Sequence, residues 1–182
     1  MTLNAAPSAR AARLLGFAVA GVVFALDQLV KWAVVSPLQL PRVEQIVVLP
    51  IFNLTWAQNF GVSLGLFTAG SDAGRWALVA MTSAIALGVL VWLLRERHKG
   101  ETFALGLVLG GALGNILDRL TYGYVVDYAD LHFGAFRPFL IFNLADVAIT
   151  FGVLIILARS FLSRDKRPNT LGAANSAAAP ET

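Results

Sequence analysis

Gly110-Gly111-Ala112-Leu113-Gly114-Asn115-Ile116-Leu117-Asp118-Arg119 closes one apolar stretch, and Phe142-Asn143-Leu144-Ala145-Asp146 opens the next. Asp118, Asp127, Asp130 and Asp146 therefore crowd the gap between two hydrophobic segments. Carboxylates at the edge of a membrane are costly unless paired, solvated or functional. This gap is where chemistry is expected, with two of the acids working as an acid–base pair.

The rest of the chain supports a bilayer as its solvent. Of 182 residues, 57% are hydrophobic and only 14% charged, and the mean hydropathy is +0.70. A water-soluble domain is about half apolar and about a quarter charged, so this chain has too little polar surface to cover a globule in water. The formal charge of +3 does not point to nucleic acid, because nine of the fourteen basic residues fall in three clusters beside hydrophobic runs. These are Arg10 and Arg13; Arg95, Arg97 and Lys99; and Arg159, Arg164, Lys166 and Arg167. That placement is the loop bias of a membrane protein. With no cysteine, a disulfide framework or a thiolate zinc site is impossible.

Four runs, at about 14–35, 76–94, 103–120 and 144–162, are long and apolar enough to cross a hydrocarbon core as helices. The first also looks like a secretory signal peptide. It is expected to be retained, because the run continues through Asp27-Gln28-Leu29-Val30-Lys31-Trp32 without a processing site. Between the spans, 36–75 and 121–143 are too polar or too broken by proline to cross. Their Val, Ile, Phe, Thr and Trp content predicts short strands, which would form a small sheet resting on the outer membrane surface. The expected fold is an all-α membrane protein, four transmembrane helices with a small extracytoplasmic β-rich platform. Residues 1–13 and 164–182 are expected to be cytoplasmic tails, the latter disordered, around one domain at 14–163. The basic clusters place both termini in the cytoplasm and the acids on the opposite side.

Individual residues carry two readings. Asp27 and Lys31 stand four apart on one helix face. They form either an interfacial ion pair, with the lysine snorkelling, or part of the acidic site. Gly106, Gly110 and Gly114 recur every four residues and offer a smooth face for a packed helix. Gly111, Asn115 and Asp118 lie on an adjacent stripe. Asn115 within a span needs a hydrogen-bonding partner. Asn143 and Asp146 have the spacing of a capping box with Asp in place of the usual Glu, so a cap would also aim the Asp146 carboxylate. His132 has no second histidine nearby with which to hold a metal.

In order along the chain, these motifs resemble the lipoprotein signal peptidases (signal peptidase II), bacterial inner-membrane aspartyl proteases. Asp27-x-x-x-Lys31 is similar to the family's first motif and Asn59-Phe60-Gly61 to its second. The stretch from Gly111 to Arg119 is similar to the third, and Val126-Asp127-Tyr128 and Phe142-Asn143-Leu144-Ala145-Asp146 to the last two. Leu64 departs from the pattern, where the family often has an aromatic residue. The resemblance implies removal of signal peptides from prolipoproteins, cut before a diacylglyceryl-modified cysteine, in the inner membrane and at its periplasmic face. It implies Asp127 and Asp146 as the catalytic pair. Asp27, Lys31, Asn59, Gly61, Gly111, Asn115, Arg119, Asn143 and Ala145 follow as supporting or substrate-contacting positions. Asp118 and Asp130 fall outside the pair on the resemblance alone; their spacing does not exclude them. It further implies no cofactor, no metal and no covalent intermediate. The expected partners are lipidated prolipoproteins and membrane lipids, with the family inhibitor globomycin binding the same site and no nucleic acid. An ion or proton relay through Asp27, Lys31 and Asp146 is the competing function. It predicts internal repeats, which the sequence lacks.

Overall fold

The computed structural model describes residues 9–61 and 72–164. Leu64 and the tails beyond 9–164 lie outside the described residues. Four helices are long and apolar enough to span a membrane: α1 Ala9–Val35, α3 Asp72–Arg95, α4 Lys99–Thr121 and α5 Leu144–Arg164. In hydrocarbon a backbone N–H or C=O has no water to bond, so an apolar run of this length satisfies itself only as a helix. A one-turn helix, α2 Leu40–Val43, was not foreseen; it sits between Gln39 and Glu44, both at positive φ, with Pro41 in its first turn.

α4 is the central helix. Of its apolar window 61% is buried, against 17–22% for the other three. Those three turn large side chains outward, among them Leu29, Trp32, Leu87 and Phe151, as lipid-facing spans do. The glycine stripe is the reason α1 approaches so closely. A Cβ on Gly106 would strike the Gly16 carbonyl, and one on Gly114 would strike the Asp27 carboxylate. On the neighbouring stripe, a Cβ on Gly111 would meet the Ala145 carbonyl oxygen at 2.6 Å, so this glycine admits α5.

The packing makes a direct prediction. A Cβ at position 110 would lie 2.5 Å from the Ala20 carbonyl oxygen and 2.9 Å from Val23 Cβ. Gly110→Ala must push two backbones apart, and we expect it to cost about 1–3 kcal/mol. Gly21→Ala has open space around its Cβ and should be neutral or mildly stabilising through helix propensity. Thermal unfolding in detergent checks this; equal midpoints would contradict it.

The segments between α1 and α3 and between α4 and α5 form an antiparallel sheet in the order β1-β2-β3, with β1 Gln45–Leu49, β2 Phe52–Asn59 and β3 Val125–Leu131. Val34 of α1 and Leu40 of α2 pack with Val126, Tyr128 and Ala129 of β3, fastening the sheet to the end of the first span. Phe142 then returns antiparallel to Ala129, with Ala129 N–H donating to the Phe142 carbonyl at 2.8 Å and Phe142 N–H to the Ala129 carbonyl at 3.1 Å. This return brings Asn143 and the start of α5 beside β3.

Candidate active site

Strand parity separates the two acids of β3. Side chains alternate along a strand, so Asp127 and Asp130, three apart, face opposite ways. Asp130 opposes Asn53 of β2, accepts from the Thr55 hydroxyl at 3.1 Å and pairs with Arg137 at 3.2 Å. A register shift between Leu54 and Ala57 sets two β2 residues, Thr55 and Trp56, against Tyr128 of β3, a bulge that moves Ala57 and Asn59 onto the face of Asp127. Asn59 hydrogen-bonds Asp127 there. Its own Oδ1 accepts the Gly61 N–H at 2.8 Å, which leaves the amide NH2 as the group able to donate to the acid. Gly61 has φ +74°, and a Cβ on it would meet Leu78 at 2.8 Å and the Arg119 guanidinium at 3.3 Å.

Asp146 is positioned by the start of α5. The first N–H groups of a helix have no partner within it, and here three are met by side chains, after which Val147 N–H begins the regular ladder. Leu144 N–H donates to the Tyr128 hydroxyl (3.1 Å) and Ala145 N–H to Asp27 Oδ1 (3.1 Å). Asp146 N–H donates to Asn143 Oδ1 (3.0 Å) and Val147 N–H to the Asn143 carbonyl (3.3 Å). Asp146 Oδ2 in turn accepts the Asn143 N–H at 3.2 Å, so the capping box closes in both directions.

Two asparagines join the acids. Asn143 Nδ2 donates to Asp127 Oδ1 at 2.6 Å and to Asn115 Oδ1 at 3.2 Å, while Asn115 Nδ2 donates to Asp146 Oδ1 at 2.9 Å. Lys31 Nζ also donates to Asn115 Oδ1, at 3.1 Å. An ammonium can only donate, so it dictates which end of the Asn115 amide faces Asp146. Asn115 thus has the partners that an amide within a span requires.

Below this layer lies an ionic one. Lys31 is 3% exposed, 2.8 Å from Asp27 and 2.7 Å from Asp118, both fully buried. The snorkelling reading of Lys31 is therefore wrong: the glycine stripe draws α1 so close to α4 that the ammonium is enclosed between two carboxylates. Asp118 belongs to the Gly106–Gly110–Gly114 stripe facing α1, not with Gly111 and Asn115. It also accepts the Val126 N–H at 3.1 Å, tying the span to β3 next to Asp127. Gln28 bridges Asp27 and Asp118, at 3.2 Å to each.

The electrostatics follow from this layout. Burial pushes the Asp127 carboxyl up to about 6, and the negative charge of Asp146 adds to it. Hydrogen bonds from Asn59 and Asn143 and the charge of Lys31 oppose the rise. Arg119 supplies a second cation, half-buried, whose charge is felt by Asp146, Asp127 and Asp118. Its Nη1 reaches the Asn115 carbonyl at 3.4 Å, while its Nε is buried without a hydrogen-bond partner among the described residues.

Asp27, Lys31, Asn59, Gly61, Gly111, Asn115, Arg119, Asp127, Asn143, Ala145 and Asp146 are thus brought into one region. Sequence reasoning gave no role to Gln28, Arg75 or Tyr128, and it did not pair Asp118 with Lys31. Arg75 caps the end of α4 through the carbonyls of Arg119 (2.8 Å) and Leu120 (2.7 Å). A polar residue beside Asp27, and an acid four residues beyond Gly114, were the available signals for Gln28 and Asp118. A groove of about 400 Å³ leads from Asp146 along the lipid-facing side of α5, lined by Phe139, Phe142, Val147, Thr150 and Phe151.

Residues 19–162 match the family described as signal peptidase (SPase) II. The lipoprotein signal peptidase of Sphingopyxis alaskensis is 54% identical over 151 residues, covering 83% of this chain and 87% of that one. The lipoprotein signal peptidase of Rhizorhabdus wittichii is 52% identical over 155 residues, covering 85% and 90%. A bacterial membrane enzyme solved by the in meso method at 2.3 Å resolution superimposes with a TM-score of 0.72 at 25% identity, over 85% of this chain and 92% of that one.

Proposed function

The chain belongs to the signal peptidase II family, a family of peptidases, and from that premise we propose that it removes the signal peptide of diacylglyceryl-modified prolipoproteins. It hydrolyses the bond before the lipidated cysteine, with Asp127 and Asp146 as the catalytic pair. The observation that carries this reading is Asn143, which holds both acids: its amide bonds Asp127 and its backbone N–H bonds Asp146.

Two carboxylates this closely coupled do not both ionise readily, so they hold one proton between them. The ionised member takes a proton from a water held by the pair, and the oxygen attacks the scissile carbonyl. The protonated member gives its proton to the carbonyl oxygen, neutralising the developing oxyanion. Collapse of the tetrahedral intermediate returns that proton to the pair as a second one passes to the leaving amine. Asn115 and Asn143 orient the carboxylates, and Asp27 and Lys31 hold Asn115 and the α5 N-terminus from below. Arg119 offsets the negative charge, Asn59 and Gly61 approach from the sheet, and Gly111 and Ala145 let α4 and α5 close on each other.

The protein is read as a multi-pass protein of the bacterial inner membrane. From the basic clusters, both termini are cytoplasmic and the acids face the periplasm. The groove beside α5 lets a lipidated peptide reach Asp146 without leaving the bilayer, and it is where globomycin is expected to compete.

The test is cleavage by the purified protein of a lipidated prolipoprotein and of its unlipidated counterpart. The lipidated one alone should be cut. Equal cleavage of both would reject lipid specificity, and cleavage of neither would reject the function. The pH profile is a second test. The active pair carries one proton, and Asp127 releases its proton as pH rises through about 6. Hence kcat/KM, which reports the unliganded enzyme, should fall through that region. In kcat the limb should move to higher pH, because bound substrate excludes water and disfavours the second charge. A kcat/KM that climbs throughout pH 5–8 would contradict a shared proton.

A further inference from the structure

The sheet ends in an apolar edge that no helix among the described residues covers. Val47 of β1, Ile51 in the β1–β2 turn, and Phe133, Phe136, Phe139 and Leu140 in the loop before α5 are all exposed, Phe136 at 66% and Leu140 at 88%. His132 N–H donates to the Ile51 carbonyl at 3.0 Å, so the two loops form one surface. The edge is built. Phe133 and Phe136 exchange backbone hydrogen bonds of 2.8 and 3.2 Å across a two-residue turn, with Gly134 at φ +63°. Arg137 ties the loop to the sheet through Asp130, with its guanidinium half open to the outside. Large apolar patches on a water-facing surface mark partner or membrane contacts.

Two observations select lipid as the occupant. The patch runs without a break into the lipid-facing wall of α5, since Phe139 lines the same groove as Val147 and Phe151. Leu140 also lies only four residues before Leu144, where α5 begins. An extended chain of that length spans at most about 14 Å, and the interfacial zone on each side of a bilayer is about 5–8 Å deep. Leu140 is thus held within reach of the leaflet at which α5 enters.

The geometry points to this edge as a lipid-inserting lip, with the aromatic turn seated at the headgroup–acyl boundary of a phospholipid bilayer and Arg137 among the phosphates. Aromatic rings with an adjacent cation suit that boundary. Seating the lip adds a membrane contact at the far side of the sheet to the ties that β3 already makes with the ends of α1, α4 and α5. The inference does not depend on the proposed cleavage activity.

The absence of cysteine in the chain makes the test clean. Leu140→Cys, Phe136→Cys, Gln45→Cys and Leu154→Cys are each labelled with bimane in vesicles of phosphatidylcholine and phosphatidylglycerol. Gln45 is an exposed polar site at the far end of β1 and Leu154 an exposed site within α5. Lipids brominated high on the acyl chain should quench the labels at 140 and 136 strongly, with a blue-shifted emission. Aqueous iodide should quench them weakly, and the label at 45 should behave in the reverse way. Lipids brominated deeper should favour the label at 154. Labels at 140 and 136 that respond to iodide as the one at 45 does would overturn the inference. So would labels shielded from both quenchers, which would assign the edge to a protein partner instead.

Discussion

Asp127→Asn and Asp146→Asn are each expected to lower kcat for a lipidated prolipoprotein by about 10²–10⁴-fold or more, the scale of lost general acid–base catalysis, while the protein still folds and inserts. Neither asparagine can hold or pass the shared proton. Retained turnover in either variant would reject the pair. The two should differ in stability, and that difference separates a catalytic acid from a structural one. Asp127 has its folded pKa raised from 3.8 to about 6. Between those values the native state binds more protons than the unfolded one, so stability falls as pH rises through the window. At one pKa unit per about 1.4 kcal/mol, the ionised Asp127 costs the fold up to about 3 kcal/mol above pH 6. Asp127→Asn removes that cost, keeps an acceptor for Asn143, and leaves the exposed Asn59 able to turn to water. Its unfolding midpoint at neutral pH should hold or rise. Asp146 instead accepts on both oxygens, from Asn115 Nδ2 and the Asn143 N–H. Asp146→Asn turns an NH2 toward one of those donors and should cost about 1–3 kcal/mol. Equal losses of stability would contradict this division.

The second large effect lies beneath the pair. Lys31→Met leaves Asp27 and Asp118 enclosed without their common counter-charge, and breaking a buried ion pair in this way costs about 3–5 kcal/mol. The variant should accumulate poorly or unfold at a much lower temperature in detergent. Asp27→Asn/Lys31→Met/Asp118→Asn should recover much of that stability, because no unpaired charge remains. It should not recover cleavage, since Asn115 has lost the ammonium that sets its orientation toward Asp146. A Lys31→Met protein with wild-type stability would show that the enclosed triad is not what holds α1 against α4. A triple variant with wild-type turnover would show that Asn115 is oriented without Lys31.

Much of this was readable before any coordinates. A charge-free apolar run long enough to cross hydrocarbon has one backbone solution, so the spans around Val79, Leu109 and Phe151 follow from composition and length. The glycine spacing announced that a helix would pack on α4. Proline and β-branched content marked the sheet segments, and the Asn143–Asp146 spacing marked a cap. What could not be read was how the polar residues divide among partners. Asp118 and Asp127 are both acids near the same span end, nine residues apart, yet one neutralises Lys31 and the other bonds Asn143.

The chain by itself determined where helix must form and where the acids gather, because hydrophobicity and backbone hydrogen bonding are local properties of the sequence. Tertiary structure decided which acid does what. The β2 bulge turns Asn59 to Asp127, strand parity sends Asp130 to the opposite face, and the closeness of α1 encloses Lys31. Each outcome depends on distances between segments far apart in sequence, and those distances are set by packing: a missing Cβ at Gly114, a returning strand at Phe142, a capped helix at Leu144.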